Sequence, residues 1–363
     1  MVTDTEPKFS AEQVVAAAYR ALLGREPDTA GRETHERRLQ AGDSLDTVLQ
    51  GFVASTEFTL RHPAILLSHE DLPKNFIQLG LSEKQRARVW QHVRETWSRL
   101  GRDDPYFSVV TSEQFRLAKM SPDAIERFYD SGQVDVRRVE AALSRHGREL
   151  PRNGVCVDYG CGLGRVTLWL ARRCKRVIAL DVSEAHLEIA KRELAARGVT
   201  NVEFRLLRGR DDLAILKGVD LFHSVIVLQH NPPPIIADIL RYALAGLNKG
   251  GTAFFQVPTY GLDYAWNYDL FMARDVPAGD MEMHVVPQDV IFRLAMRAGC
   301  VPIEVLPDGC AGMPNWVSNT FLFAKLDRSA WARASRFFAR RGGVVRFLAR
   351  LTPAVLRPRS AAT

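Results

Sequence analysis

Val155-Cys-Val-Asp-Tyr-Gly-Cys-Gly-Leu-Gly-Arg165 is the stretch that decides the fold of this chain. Its first residues favour a strand, and the three glycines that follow let the backbone turn sharply and approach a ligand closely. An apolar helical pattern resumes directly after the turn, over residues 166–171. A buried strand that breaks into a glycine turn before a helix is how an α/β sheet builds a nucleotide pocket.

The next apolar segment supplies a second part of such a pocket. Arg176-Val-Ile-Ala-Leu-Asp181 predicts a strand that ends in a carboxylate, 21 residues after Gly160 (181 less 160). An acid at this distance can accept hydrogen bonds from both hydroxyls of a ribose.

The glycine spacing then separates two cofactor classes. A dinucleotide fingerprint that starts at Gly160 requires a glycine at position 165, where this chain has Arg165.

The pattern Asp158-x-Gly160-x-Gly162-x-Gly164 resembles the first motif of class I S-adenosylmethionine-dependent methyltransferases. This resemblance covers about residues 155–326 and implies S-adenosyl-L-methionine as the cofactor. It also implies a doubly wound, Rossmann-like α/β fold with a mainly parallel sheet of seven strands. The alternating pattern of the chain agrees with this, with strands expected near 155–158, 176–181, 202–207, 219–227, 252–257, 301–306 and 317–325. The alternative is a glycine-rich turn in some other α/β domain.

Length and composition indicate a soluble globular protein. The chain has 363 residues, of which 46% are hydrophobic, so it has room for two or three domains. No stretch approaches the roughly 20 apolar residues of a membrane span, and the N-terminus lacks the pattern of a secretory signal. We therefore expect a cytoplasmic protein. The five cysteines show no C-x-x-C pair, so neither a zinc site nor a disulfide framework is indicated, and no metal is expected.

The basic character of the chain belongs to its C-terminal tail. Residues 328–363 hold nine arginines and no acid, so a formal net charge of +7 for the whole chain leaves −2 for the rest. Since the body carries no basic excess and lacks an Asn-Pro-Pro-Tyr tetrad, nucleic acid is not an expected partner. The tail mixes its arginines with apolar residues, which suits peripheral contact with an anionic membrane or an acidic partner, or a poorly ordered solubilising tail.

The chain divides into four predicted parts. Residues 8–62 predict an N-terminal helical module that opens with the capping box Ser10-x-x-Gln13. Within it, Tyr19-Arg-Ala-Leu-Leu-Gly-Arg-Glu-Pro-Asp-x-x-Gly31 resembles a short module of uncharacterised function found beside glycosyltransferases and in bacterial surface-associated proteins. Residues 63–150 are mainly helical and predict a cap over the cofactor. Residues 151–327 form the predicted cofactor-binding domain, and residues 328–363 form the basic, amphipathic or disordered tail.

The family resemblance also implies the residues that contact the cofactor. The glycines let main chain approach it, Asp158 orients the loop or reaches the amino-acid ammonium, and Asp181 takes the ribose. After the third strand, arginine stands where an adenine-contacting acid is expected, and a shifted register makes Asp211 or Asp212 the substitute, with Asp211 preferred. The residues that follow the fourth strand face the ligand crevice. The predicted cofactor contacts are Asp158, Gly160, Gly162, Gly164, Asp181, Asp211 and Gln229.

Two histidines are candidates for a general base. The ordinary pKa of histidine lies near neutrality. His230 follows the fourth strand, whereas His284 follows a long aromatic connection over residues 258–283 and is slightly preferred. That connection predicts a lid whose aromatic rings stack on a sugar, or a segment that packs against the cap. The residues expected to contact the acceptor are Tyr260, Trp266, Asn315 and Trp316.

The sequence thus predicts an S-adenosylmethionine-dependent methyltransferase. The expected reaction is O-methylation of a sugar, a glycan or another small-molecule hydroxyl. The sugar rests on analogy, from the N-terminal module and from the aromatic connection. The alternatives are N-methylation of a small molecule and a non-catalytic protein that binds the cofactor as a scaffold. The oligomeric state stays open.

Overall fold

The structure is a computed structural model that describes residues 10–53, 55–61, 76–262, 264–274, 281–312 and 315–326. Its first four helices are α1 (Ala11–Leu23), α2 (Thr29–Gln40), α3 (Leu45–Val53) and α4 (Thr56–Arg61). The predicted capping box is present, because Ser10 Oγ accepts a hydrogen bond from the Gln13 amide and the Gln13 side chain accepts one from the Ser10 amide. These helices share an apolar core of their own, made of Val15, Ala18, Tyr19, Leu23, Val48, Phe52 and Phe58. The predicted tail over 328–363 lies outside the described residues.

A seven-stranded sheet forms the centre of the remaining chain. Its strands are β2 (Val155–Tyr159), β3 (Arg176–Asp181), β4 (Val202–Leu206), β5 (Val219–Ser224), β6 (Leu247–Gly261), β8 (Cys300–Asp308) and β9 (Trp316–Lys325). Their spatial order is β4-β3-β2-β5-β6-β9-β8, and β9 runs antiparallel to both of its neighbours. The predicted doubly wound, mainly parallel sheet of seven strands is therefore confirmed. The short strands β1 (Phe76–Ile77) and β7 (Ala265–Trp266) pair separately in parallel.

Helices cover both faces of the sheet, and the side chains of each strand alternate between them. The remaining helices are α5 (Glu83–Asp103), α6 (Pro105–Val109), α7 (Pro122–Arg145), α8 (Arg165–Ala171), α9 (Glu184–Ala196), α10 (Pro233–Gly246), α11 (Tyr268–Ala273) and α12 (Gln288–Arg297). On β2, Val157 joins the core that contains α5, α10 and α12, whereas Cys156 joins the core that contains α7 and α8. No helix among the described residues has the length and apolar character of a membrane span.

The aromatic connection after β6 packs into the protein. β6 continues as sheet as far as Gly261, β7 pairs with β1, and α11 follows. Trp266, Tyr268 and Phe271 are buried members of the core beneath α5. The connection was expected to form either a lid or a segment packed against the cap. Because these rings are buried in the core, its described residues match the second alternative.

The cap helix α7 crosses α8 so closely at Gly132 that there is no space for a side chain between the two backbones. A Cβ atom on Gly132 would lie 2.1 Å from the carbonyl oxygen of Arg165, which is far inside van der Waals contact. Gly132 is buried in the middle of α7. Glycine at this position therefore sets how closely the cap approaches the strand-to-helix turn.

Replacing Gly132 by alanine tests this approach. We expect Gly132→Ala to lower the free energy of unfolding by about 1–3 kcal/mol, because backbone must move to make room. Gly80→Ala is the matched control, since no heavy atom lies within 4 Å of its added Cβ, and its effect should stay within about 0.5 kcal/mol. Urea unfolding followed by circular dichroism measures both. Equal stability of the two variants would contradict the close packing.

Candidate functional site

A cavity of about 580 Å³ lies at the carboxyl ends of β2, β3 and β5. This volume is in the range of small-molecule and cofactor sites. Its floor is the glycine loop after β2, and its sides are the exits of β3 and β5. Its roof is the cap, through Val93 and Trp97 of α5, Val109 of α6, and one face of α7. The cavity therefore lies where an α/β sheet places its ligand, outside the carboxyl ends of the strands on either side of a switch in strand order.

The glycine loop is held in place by the neighbouring strand. The amides of Gly160 and Cys161 both donate to the carbonyl oxygen of Leu180, at 2.8 and 2.9 Å. Gly162 has a positive φ of 53°, and a Cβ there would lie 2.7 Å from a methyl group of Val109, so the loop runs directly beneath the cap. Gly160 and Gly162 line the cavity, whereas Gly164 faces Leu194 of α9. The first two glycines of the motif thus belong to the cavity and the third to helix packing.

Asp181 lies at the cavity wall in a fixed orientation. Its side chain is almost fully buried, with the residue 7% exposed. One carboxylate oxygen accepts a hydrogen bond from the Gly162 amide and the other accepts one from the Ser183 amide, both at 2.8 Å. Each oxygen of a carboxylate can accept a second hydrogen bond. The carboxylate therefore stays available to the hydroxyls of a ligand while the loop and the helix start hold it.

The Asp158 carboxylate lines the cavity and is held by two buried partners. Its Oδ2 accepts a hydrogen bond from Thr167 Oγ1 at 2.6 Å, and its Oδ1 accepts one from His223 Nδ1 at 3.0 Å. The other ring nitrogen, Nε2, is the polar atom that His223 has left for a further partner. That atom has no partner among the described residues, and His223 lines the cavity with Asp158. The sequence analysis did not identify His223 as a site residue. Its register position opposite Asp158 on the adjacent strand is the feature that could have identified it.

The exit of β5 carries a strained backbone. Ile226 has a φ of 57°, a conformation that is costly for a β-branched residue. Its amide donates to Gln256 Oε1 at 2.9 Å, and Gln256 Nε2 donates in turn to Gln229 Oε1 at 2.9 Å. Strain of this kind is found where the surrounding structure fixes a functional segment. Gln229, a predicted cofactor contact, is thus buried behind the cavity, where it supports the segment that lines it.

His230 lines the cavity, and both of its ring nitrogens have a hydrogen-bond partner. Its Nδ1 donates to the carbonyl oxygen of Glu282 at 2.9 Å, so Nε2 carries the lone pair, and that lone pair accepts a long hydrogen bond of 3.4 Å from Gln229 Nε2. The ring lies 5.2 Å from that of Trp97, between centroids. Burial lowers the pKa of His230 below its usual value, and this outweighs the hydrogen bond to Glu282, which raises it. His230 is therefore neutral at pH 7.

His284, the other predicted base, lies outside the cavity wall. It is 1% exposed, and its Nδ1 is hydrogen-bonded to Tyr264 Oη at 2.8 Å. Its amide donates to the carbonyl oxygen of Gln229 at 2.7 Å, so it forms part of the layer behind the β5 exit. Burial lowers the pKa of His284 to about 3. The sequence slightly favoured His284 over His230 as the general base. The structure places His284 behind the cavity, because the segment after the aromatic connection runs behind the β5 exit.

Five further predicted residues also lie away from this cavity. Asp211 borders a separate groove beside α5. Trp266 is buried in the core, and Tyr260 pairs with β9 inside the sheet. Asn315 and Trp316 stand at the start of β9, where the Asn315 carbonyl oxygen accepts from the Leu262 amide. The continuation of β6 and its pairing with β9 carry Tyr260, Trp266, Asn315 and Trp316 past the cavity, whereas Asp211 follows β4 on the other side of α5.

The cap supplies polar residues that the sequence did not single out. Arg165 forms an ion pair with Asp135 at 2.6 Å and donates to Ser131 Oγ at 3.2 Å. All three line the cavity, as do Thr111 and Gln114. Ser131 and Asp135 lie four residues apart on one face of α7, and only the packing of that helix shows that this face borders the cavity. Among the described residues, no group of three or more histidine, cysteine or acidic side chains could hold a metal ion.

Comparison with known proteins identifies the chemistry of the cavity. Residues 156–251, from β2 to the start of β6, match the family model described as a methyltransferase domain. The chain carries an S-adenosylmethionine-dependent methyltransferase domain. Residues 4–62 match a second model, a domain of unknown function (DUF4214). That second match shows that the N-terminal module is present and assigns it no role.

The similar proteins act on varied substrates. The chain is 28% identical over 184 residues to a probable cobalt-precorrin-6B C(15)-methyltransferase of Methanocaldococcus jannaschii, which covers 47% of this chain and 96% of the relative. It is 24% identical over 236 residues to a tRNA/tmRNA (uracil-C(5))-methyltransferase of Nitratiruptor, covering 58% of this chain and 63% of the relative. Since an RNA methyltransferase is among these relatives, they do not support the expected exclusion of nucleic acid.

A solved structure is similar to this chain at low identity. Magnesium protoporphyrin IX methyltransferase from Synechocystis, crystallised with S-adenosylhomocysteine, is 18% identical, with a TM-score of 0.46. The match covers 65% of this chain and 99% of the other.

The residues of the cavity fit S-adenosylmethionine. The Asp181 carboxylate, fixed by its hydrogen bonds, can accept hydrogen bonds from the ribose hydroxyls. Beside it, Val182, Leu207 and Val227 supply apolar surface for the adenine ring. The unpartnered Nε2 of His223 offers a polar contact at the other side of the glycine loop. A donor bound there supplies an activated methyl group.

The ribose contact can be tested by removing one carboxylate. Asp181→Ala should weaken S-adenosylhomocysteine binding by about 1.5–3 kcal/mol, the usual loss for a buried charged hydrogen-bond partner, which is roughly 10- to 150-fold in Kd. Asp211→Ala is the matched control and should leave the Kd unchanged, since Asp211 borders the other groove. Isothermal titration calorimetry measures both. Weakening by Asp211→Ala alone would place the cofactor beside α5 and overturn this assignment.

Proposed function

We propose that this chain methylates a hydroxyl group of a sugar or glycan. The observation that carries the proposal is the cavity-lining His230. Its Nδ1 donates to a backbone carbonyl, and the lone pair on its Nε2 accepts a hydrogen bond of 3.4 Å from Gln229, which is long enough for an acceptor hydroxyl to replace it. A sugar hydroxyl holds its proton too tightly to lose it unaided at neutral pH, so a base at the cavity suits an oxygen acceptor. The resemblance of the N-terminal module to one found beside glycosyltransferases adds an analogy with glycan-related proteins, which the match of residues 4–62 to a domain of unknown function leaves untested.

The lining of the cavity supports a polar acceptor with flat apolar faces. Thr111, Gln114 and Ser131 offer hydrogen bonds from the cap. Trp97 and Phe115 offer aromatic surface, on which the apolar face of a sugar ring packs. In this proposal these residues take the acceptor role expected of the aromatic connection, whose rings lie in the core.

The proposed mechanism divides the work between two groups of residues. Asp181 and the loop of Gly160 and Gly162 bind and orient the donor, while the cap excludes water from the reacting atoms. His230 Nε2 takes the proton of the acceptor hydroxyl as the carbon–oxygen bond forms. The backbone carbonyl oxygen of Glu282 fixes the ring by accepting a hydrogen bond from Nδ1–H, which keeps Nε2 as the basic atom. After transfer, the proton would be on His230, the methyl group on the acceptor oxygen, and the electron pair of the broken methyl–sulfur bond on the sulfur of the departing S-adenosylhomocysteine.

His230→Asn tests the base directly. Asparagine can still donate to the Glu282 carbonyl but cannot take a proton, so turnover should fall roughly 10²–10⁴-fold while S-adenosylhomocysteine affinity stays close to wild type. His146→Ala, at an exposed histidine that pairs with Glu304, is the matched control and should keep full turnover. Single-turnover assays on the acceptor give the rate. Full turnover by His230→Asn would eliminate this base.

The pH dependence supplies a second test of His230. Base catalysis needs the neutral imidazole, and burial lowers its pKa below about 6.5. The rate of methyl transfer should therefore be level between pH 7 and 8 and fall only as the pH drops through this lowered pKa. A rate that still rises tenfold per pH unit between pH 7 and 8 would assign the step to a group of higher pKa.

The acceptor class can be tested in cells. Loss of the gene should remove a 14-dalton increment from a cell-envelope glycan, measured by mass spectrometry of the released glycans. If no glycan changes, the sugar is excluded, and N-methylation of a small molecule becomes the leading reaction, for which a base is dispensable. A purified chain that binds S-adenosylhomocysteine but turns over no acceptor would favour the scaffold alternative. The domain boundaries and the peripheral membrane contact of residues 328–363 stay predictions.

A further inference from the structure

A second groove, of about 630 Å³, runs along the outer face of α5. One wall is α5 from Glu83 to Arg102, and the other is the segment 208–211 after β4. Six arginines line this groove, against the three acids Glu83, Glu95 and Asp211. The arginines are Arg86, Arg94, Arg99, Arg102, Arg208 and Arg210. We propose that this arginine groove binds a linear anionic glycan, the polymer to which the methylated sugar belongs.

Half of these arginines have internal partners. Arg86 forms an ion pair with the buried Asp238, and Arg210 forms one with Glu83 at 2.7 Å. Arg94 donates to the carbonyl oxygen of Arg208 at 3.1 Å. These contacts fix the base of the groove and its two walls relative to each other.

The other three arginines carry the positive surplus. The side chains of Arg99, Arg102 and Arg208 make no hydrogen bond or ion pair with another residue in the described ranges. Arg102 and Arg208 are exposed, and the nearby Glu95 accepts a hydrogen bond from Gln91 at 2.8 Å. Since the chain before the tail has a net charge of −2, this local surplus stands out against an acidic body. A bound polyanion would supply the missing partners.

The shape of the groove favours a linear ligand. The lining positions on α5 recur at helical spacing from residue 83 to residue 102, so one stripe of the helix forms the whole wall. Twenty helical residues span about 30 Å. A single phosphate would occupy a small part of that length, whereas a polymer with an acidic group on successive units could pair along it.

The lining favours a glycan over nucleic acid. Grooves that bind single-stranded nucleic acid combine positive charge with exposed aromatic side chains on which the bases stack. Among the groove-lining residues of the described chain, Trp90 is the one aromatic side chain, and it is 2% exposed. A polymer with acidic sugars needs no stacking platform, because carboxylate and phosphate groups pair with guanidinium directly.

The groove adjoins the methyl-transfer cavity. Val93 and Trp97 on a neighbouring face of α5 line the cavity, and Leu207 lines the cavity where Arg208 lines the groove. A polymer in the groove would thus lie within about one helix diameter, roughly 10–12 Å, of the cavity. This inference rests on the proposed glycan acceptor and adds that the acceptor is a polyanion held outside the cavity.

Charge reversal tests the groove in the full-length chain. We compare Arg99→Glu/Arg102→Glu/Arg208→Glu with a matched variant of equal net charge, Arg88→Glu/Arg137→Glu/Arg192→Glu, whose three arginines are exposed and lie outside the groove. The probes are polygalacturonate, poly-uridylate RNA and neutral dextran, with binding measured by fluorescence anisotropy at low salt. Polygalacturonate affinity should fall roughly 10-fold or more in the groove variant and less than about 3-fold in the matched variant, because surface ion pairs act at short range.

Several outcomes would overturn the proposal. Equal losses in the two variants would show that binding follows net charge, and no loss in either would assign binding to the arginine-rich tail that both retain. Groove-dependent binding that is tighter for poly-uridylate than for polygalacturonate would make the ligand RNA. Unchanged S-adenosylhomocysteine affinity in both variants separates this test from the methyltransferase assignment, which stands or fails on the cavity.

Discussion

The hydrogen bond from the Gly162 amide to Asp181 joins two neighbouring strand ends into one ligand site. β2 ends in a loop whose left-handed turn needs glycine, and β3 ends in a carboxylate that accepts the amide of that loop. The carbonyl oxygen of Leu180 holds the same loop by two further amides. Because the loop cannot move without losing these bonds, the cavity floor is formed before a ligand binds, which lowers the ordering cost of binding.

Behind this floor, the titratable side chains fall into separate layers. Asp158 and His223 form a buried pair that faces the cavity from below, whereas Gln229 and His284 lie behind the β5 exit and support it. His230 stands between the two layers and reaches the cavity. The same strand end therefore delivers one residue to the ligand and one to the scaffold, which is why neighbours in the sequence have different roles.

Local pattern predicted the fold well, since a strand, a glycine turn and an acid at the next strand end are all short-range signals. It placed Asp181 and the first two loop glycines at the cavity for the same reason. His284, Trp266 and Trp316 depended on where a long connection runs, and that is set by the continuation of β6 and its pairing with β9, which no local pattern encodes. The cap residues and the arginine groove depend on which face of a helix packs inward. Summing the charge over each segment of the sequence does not reveal the groove, because its arginines come from two segments that are distant in the chain.

The cavity at the ends of β2, β3 and β5 is where we expect the methyl donor to bind. A crystal structure of the full-length chain with S-adenosylhomocysteine is the decisive test. We expect electron density for the ligand between the glycine loop and the cap, with its ribose hydroxyls within hydrogen-bond distance of the Asp181 carboxylate. Ligand density in the arginine groove beside α5, or in the cavity with its ribose away from Asp181, would show that this site is wrong.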